Sequence, residues 1–298
     1  MSSKICPYCK SFASLLFVSK DYNQKTNDLK FTHYRCEACN LIFIDPVPAD
    51  LGVYYPNSYH FIPDSRDYLK TGSMPERYKI EMILNHVQSG RLLEIGPSYG
   101  SFTYLAKEAG FEVSAIEMNE RCCDFLRNVV EVDVIQSDDP VAALEEVSLF
   151  DVIALWHVIE HLPSPFATLD SIYAKLKPGG CLVVAAPNPD AFQFGLMRQF
   201  WPHLDAPRHV MLIPTSVIRE KMESLGMKLE LATTADPGGL GWNVFGWEFL
   251  LSNLSNNILA KKVLRRIGRV ISFVLSPIER RDGAGSAYTM IFRKGEPN

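Results

Sequence analysis

No run of apolar residues in this sequence approaches the ~18–20 needed to cross a bilayer, which argues against an integral membrane protein. An excess of basic residues is also missing. Thirty lysines and arginines face 34 acidic residues, a net charge of −4, so no general attraction to polyanions is expected. The N-terminus is polar and lacks a secretion-type pattern, which predicts a cytoplasmic protein, with peripheral contact at a membrane left open. Disulfides rarely persist in that compartment. The full Gly-x-Gly-x-x-Gly fingerprint of a nicotinamide site does not occur either. Apolar content of 47% is ordinary for a folded protein, and 298 residues suffice for one large domain with a small appendage.

The seven cysteines are not scattered. Four form two Cys-x-x-Cys knuckles, Cys6–Cys9 and Cys36–Cys39, with 26 residues between them. Two such knuckles on separate turns can arrange four thiolates tetrahedrally around one zinc ion. The segments around Leu15–Val18 and Phe31–Tyr34 are predicted to be the strands of a ribbon. A unit of this size gains its stability from the metal, and with four protein ligands the ion is structural. Residues 1–48 are therefore read as a zinc-ribbon module, 49–74 as a linker or cap rich in tyrosine, and 75–298 as the main domain. A tyrosine over the mouth of the site is one reading of the linker, and plain aromatic packing the other. Cys122, Cys123 and Cys181 are expected to be buried and reduced.

In the main domain the most informative segment is Arg91–Phe102. Leu92, Leu93 and Ile95 mark a buried strand that ends in Glu94-Ile-Gly96-Pro-Ser98-Tyr-Gly100 and opens a helix. A second strand follows and ends at Glu117, 23 positions after Glu94. A carboxylate there can accept hydrogen bonds from both hydroxyls of a ribose. Glu94, two residues ahead of the first glycine, would repel a pyrophosphate but suits a ligand that carries positive charge. Helices and strands then alternate, with strands at 91–95, 111–116, 132–135, 150–156 and 181–186 and helices at 100–109, 119–129 and 164–177. This alternation predicts an α/β, Rossmann-like sheet, mostly parallel, with helices on both faces. A helix at 215–225, a strand at 227–232 and a last antiparallel strand at 286–293 complete seven strands.

These motifs resemble the class I S-adenosylmethionine-dependent methyltransferases, whose first motif is Glu/Asp-x-Gly-x-Gly-x-Gly. Ser98 stands where that motif has its middle glycine. Phe150–Pro163 and Leu176–Asn188 resemble the family's fourth and fifth strands in sequence order, with Lys-Pro-Gly-Gly as the turn before the fifth. The resemblance covers residues 80–235, and it is similar in particular to the branch with a zinc ribbon ahead of the catalytic domain. It implies S-adenosylmethionine as cofactor, with Glu94, Gly96, Ser98 and Gly100 around its methionine end and Glu117 on the ribose. Met118 and Asp138 would meet the adenine, and Trp156 and His157 the lip of the site. Ligands of such sheets bind outside the carboxyl ends of the strands.

Methyl transfer to an alcohol or amine calls for alignment and a nearby base. The candidates are His161, after the fourth strand, and His209, in the histidine- and tryptophan-rich segment 201–209. Residues 236–283 are read as an insert between the last two strands. Within it, 257–278 has an apolar arc (Val263, Leu264, Ile267, Val270, Ile271, Val274, Leu275) opposite Lys261, Lys262, Arg265, Arg266 and Arg269. That pattern fits a lid, a dimer helix or a membrane-surface helix. The expected activity is transfer to a small-molecule or lipid-linked acceptor, at oxygen. Sugar carbon or nitrogen methylation stays open, as does RNA base methylation with the ribbon as the grip, although the acidic balance argues against nucleic acid.

Overall fold

The computed structural model describes residues 3–56, 59 and 61–296. Its twelve strands form two sheets. The first comprises β1 (Lys4–Ile5), β2 (Phe12–Ser19), β3 (Phe31–Cys36), β4 (Ile42–Ile44) and β10 (Met211–Leu212), all antiparallel. The second comprises β5 (Arg91–Ile95), β6 (Glu112–Glu117), β7 (Asp133–Gln136), β8 (Phe150–Trp156), β9 (Leu176–Pro187), β11 (Met227–Thr233) and β12 (Ala287–Lys294). Its order is β11-β12-β9-β8-β5-β6-β7, and only β12 runs against its neighbours.

The helices are α1 (Arg66–Gly72), α2 (Arg77–Leu84), α3 (Ser101–Glu108), α4 (Glu120–Phe125), α5 (Pro140–Glu145), α6 (Pro165–Lys175), α7 (Phe192–Met197), α8 (Thr215–Ser224), α9 (Pro237–Ser252) and α10 (Ile258–Glu279). The central strands β5, β8 and β9 are apolar along nearly their whole length. Leu92, Leu93, Ile153, Leu155, Leu182 and Val184 have no exposed surface, as a parallel sheet covered on both faces requires. One apolar cluster backs it with Leu169, Ile172 and Ile218, and another covers the opposite face with Ile80, Ile83, Phe102 and Ala106.

Several boundaries differ from the sequence reading. The Lys-Pro-Gly-Gly segment is the start of β9 rather than a separate turn, with a register shift against β8 after Phe150. The helix expected over 119–129 is α4 followed by a wider π-type turn, Leu126–Val130. α1 lies inside the tyrosine-rich linker, and α5 follows β7 where no helix was expected. The N-terminal sheet is not closed within residues 1–48, because β10 pairs with β4 at Met211↔Phe43 and Leu212↔Ile42. One cluster joins Cys6, Ala13, Tyr34 and Phe43 to the core of the large sheet.

Candidate active site

The turn after β5 is built from alternating left-handed backbone. Gly96, Ser98 and Gly100 have φ of +70°, +54° and +82°. A Cβ on Gly96 would lie 2.5 Å from Val158 Cγ2, and one on Gly100 would lie 2.5 Å from Leu126 Cδ2, so neither position tolerates a side chain. Ser98 takes up a left-handed conformation like the two glycines that flank it. Its N–H donates to Glu117 Oε2 (2.9 Å), and the N–H of Asn119 donates to Glu117 Oε1 (2.8 Å). Glu117, at the end of β6, thus braces the turn. Burial pushes its carboxyl up, and these amide donors oppose the rise.

Glu94 is buried and accepts from Thr103 Oγ1 on α3 at 2.5 Å. Burial raises its carboxyl to about 8. A buried carboxyl that prefers to be neutral becomes an anion readily once a cation lies beside it. Gly100 caps α3, and Met118 stands half exposed after β6. Asp138 is exposed beyond the carboxyl end of β7, while its neighbour Asp139 caps α5 through the amides of Val141 and Ala142. The structure therefore brings Glu94, the 96–100 turn and Glu117 together, and gives Asp138 no described contact. Lys79 on α2 went unnoticed in the sequence. Its ammonium pairs with Glu76 at 2.7 Å and lies 4.9 Å from the centre of the Trp156 ring.

Trp156 ends β8 with a buried ring whose Nε1 has no partner among the described residues. His157 follows at φ +58°, its N–H donated to Ala185 O. The ring of Trp242, from α9, covers it at 4.4 Å between centres and also meets His203 at 4.6 Å. The insert therefore contributes a wall of the site, which sequence spacing did not reveal.

A short 3-10 turn, Ile159–His161, then carries Glu160 and His161. The 201–209 segment closes over it: Val210 N–H donates to Glu160 O, and His161 Nδ1 lies 3.1 Å from Arg208 O and 2.9 Å from Tyr55 Oη. His209 Nδ1 lies 2.8 Å from His203 O. A backbone carbonyl only accepts, so His209 Nδ1 carries a proton, while His161 Nδ1 can donate to Arg208 O or accept from the Tyr55 hydroxyl. Burial lowers His161 to about 4 and His203 to about 3, which keeps these rings neutral. The rings of His161 and His209 meet edge to face at 4.6 Å. Tyr55 brings the linker into contact with His161.

The loop is fixed by a buried ion cluster. Arg208 has no exposed side-chain surface, and its guanidinium bonds Asp21 at 2.6 Å and Asp205 at 2.7 Å. Burial works against the charge of Asp21, yet Arg208 and the amides of Gln24 and Thr26 hold it down at about 2. The pair Asp205–Arg208, which the sequence also fits as a surface ion pair, is buried, and through Asp21 it clamps the 201–209 segment to the N-terminal sheet.

Away from the site, the sulfurs of the four N-terminal cysteines approach one another at 3.4 Å (Cys9–Cys36), 3.6 Å (Cys9–Cys39) and 3.7 Å (Cys6–Cys39). Those separations are too long for a disulfide and match the edge of a tetrahedron with ~2.3 Å metal–sulfur bonds, about 3.8 Å. The donor set fits zinc.

A family profile described as "Methyltransferase domain" matches residues 75–232, more than half of the chain. Among curated proteins, the chain is 24% identical over 125 residues to a ubiquinone biosynthesis O-methyltransferase of Bordetella avium, covering 40% of this chain and 52% of that protein. It is 30% identical over 112 residues to the protein of the same name in Xanthomonas campestris pv. campestris, covering 36% and 46%. The chain thus spans about half the length of the curated relatives it matches. A SAM-dependent methyltransferase structure from Archaeoglobus fulgidus superposes with a TM-score of 0.51 at 21% identity, covering 77% of this chain and 97% of that one. A putative sarcosine dimethylglycine methyltransferase from Galdieria sulphuraria does so with 0.51 at 14%, covering 80% and 92%. The chain belongs to the methyltransferase-domain family and has the fold of the S-adenosylmethionine-dependent methyltransferases.

Proposed function

We propose that this protein transfers a methyl group from S-adenosylmethionine to a hydroxyl oxygen of a small, lipid-linked acceptor. The observation that carries the reading is the crevice of Glu94, the 96–100 turn and Glu117 at the carboxyl edge of the sheet, with two buried carboxyls and backbone open to close approach. S-adenosylmethionine, when bound, supplies an electrophilic methyl group on a sulfonium centre. Glu94 answers the positive charge of its methionine end, and the lone pairs left on Glu117 accept from the ribose hydroxyls. Lys79, beside Trp156 and in reach of Glu94, offers a cation to the carboxylate of the same ligand. Met118 and Asp138 stand at the adenine end.

His161 and His209 face the acceptor side. Their Nδ1 atoms are occupied, so only Nε2 is left to take a proton or another positive partner. Trp242 and Tyr55 narrow the mouth and exclude water from it. The Cys6, Cys9, Cys36 and Cys39 thiolates hold a structural zinc that fixes the ribbon against the loop.

A lipid-linked acceptor is supported by α10. Its apolar arc is divided in the fold: Ile271 and Leu275 pack inward beside Trp247, while Val263, Ile267, Val270 and Val274 remain 45–65% exposed. Lys262, Arg265, Arg266 and Arg269 flank that exposed stripe. A basic helix with an uncovered apolar stripe is suited to an anionic membrane surface. The curated relatives, named for ubiquinone biosynthesis, support the same chemical class of acceptor.

Calorimetry with S-adenosylmethionine tests the reading first. Wild-type protein should bind, and Glu117→Ala should raise Kd by at least about tenfold, the loss of one charge-assisted hydrogen-bonded contact. Methyl transfer is then measured to a hydroxylated aromatic with a long isoprenoid tail and to the same head group without it. Absence of cofactor binding by the folded wild type would refute the proposal.

A further inference from the structure

Glu160, His161 and His209 share one small space. One ligand atom from each lies within 4.8 Å of the others, and His209 Nε2 is 3.9 Å from Glu160 Oε1. Glu160 is 1% exposed, and neither of its carboxylate oxygens has a hydrogen-bond partner among the described residues. A buried carboxylate without donors costs several kcal/mol as a rule. His209 Nδ1 donates to His203 O, which leaves its Nε2 on the side of Glu160, while His161 Nδ1 meets both Arg208 O and the Tyr55 hydroxyl. One carboxylate and two imidazoles therefore converge on one small space, with no hydrogen bond to the carboxylate oxygens among the described residues. The nearest guanidinium, Arg208, is already shared by Asp21 and Asp205.

The geometry points to a second metal site in this protein, in which Glu160, His161 and His209 bind a divalent first-row transition ion and leave open positions for oxygen atoms of the acceptor. Two imidazoles and one carboxylate are a donor set for manganese, iron(II) or zinc rather than for magnesium or calcium. The Nδ1 contacts with backbone carbonyls are the outer contacts that fix ring orientation in such sites. Tyr55 Oη, on the same Nδ1 of His161, adds a third. Metal–ligand bonds of about 2.1 Å put neighbouring donor atoms about 3–3.5 Å apart, so donor atoms now within 4.8 Å of one another must close by at most about 2 Å. His157, whose Nδ1 is 3.7 Å from the same Glu160 oxygen and has no hydrogen-bond partner among the described residues, stands at the rim. The site itself stands without any assumption about catalysis; its use in holding an acceptor oxygen rests on the methyl-transfer reading above.

Manganese(II) is the probe, because it has little affinity for the four thiolates of the ribbon. Titration of the full chain by calorimetry should give one manganese per chain, and Glu160→Gln and His209→Gln should each weaken binding by at least about tenfold. Circular dichroism and cofactor titration of the same variants check that they are folded. Should a variant fail to fold, the electron paramagnetic spectrum of manganese added to wild type answers instead, since a bound ion with nitrogen ligands differs from the free aquo ion. No saturable manganese binding by wild type, or unchanged affinity in folded Glu160→Gln, overturns the site. If manganese binds and the variants lose it while S-adenosylmethionine never binds, the site stands and the methyl-transfer reading fails. If the cofactor binds and manganese does not, the site fails and the methyl-transfer reading stands.

Discussion

Glu94 combines near-complete burial with a single hydroxyl donor, and burial holds its carboxyl at about 8 against an ordinary 4.5. The folded protein therefore binds this proton more tightly than the unfolded chain. The stability linked to it is fully present below 4.5 and is lost as pH rises through about 8. Cofactor-free protein should lose thermal stability on the alkaline side, and Glu94→Gln should flatten that decline in a Tm-against-pH series. A cationic ligand reverses the preference, so cofactor binding should release a proton below about pH 8 and strengthen as pH rises. Calorimetry in buffers of different ionisation enthalpy measures that release. Identical proton release by wild type and Glu94→Gln would assign the proton elsewhere. Ser98 makes a related point: a residue that looks like a departure from the glycine pattern adopts the same positive φ, and its amide is held by Glu117.

At the scale of elements, α9 and α10 form a helical hairpin with a buried polar tie at the end of α10. Glu279 accepts from Trp247 Nε1 and from Gln193 Nε2, which ties α10 to α9 and α7. That anchorage explains why only half of the apolar arc is consumed by packing. Replacing exposed Val270 and Phe273 by serine removes apolar surface without opening a cavity, since they are 62% and 81% exposed. Wild-type protein should float with anionic vesicles, the fraction should fall with added salt as the basic flank is screened, and the double variant should float several-fold less. Failure of the wild type to float would leave the hairpin as a lid alone. Among the described residues, no helix is long and apolar enough to cross a membrane.

In the whole molecule, the ribbon and the catalytic sheet act as one body through two joints. One is the pairing of β10 with β4, and the other is Arg208 between Asp21 and Asp205. Arg208→Met would leave two carboxylates without their cation and should cost about 3–5 kcal/mol, lowering Tm. Because His209 is the next residue and β10 begins at Met211, stripping the metal proposed for the four cysteines with a chelator should also loosen the loop. Hydrogen exchange over 201–212 reads that coupling. Increased exchange confined to residues 3–45 would show the two sheets to be independent.

Sequence alone determined the parallel core, the glycine turn, both carboxyl positions and the paired knuckles, because each is set by spacing within a short stretch. Periodicity reports burial, and a turn needs its own residues at fixed offsets. Tertiary structure decided what lies far apart in the chain: Glu160 and His161 against His209, Trp242 over His157, Tyr55 against His161, and Arg208 locked to Asp21. It also decided which side of α10 faces water. No local pattern encodes these contacts, since they arise only when strand order and loop closure bring separate segments to one edge of the sheet.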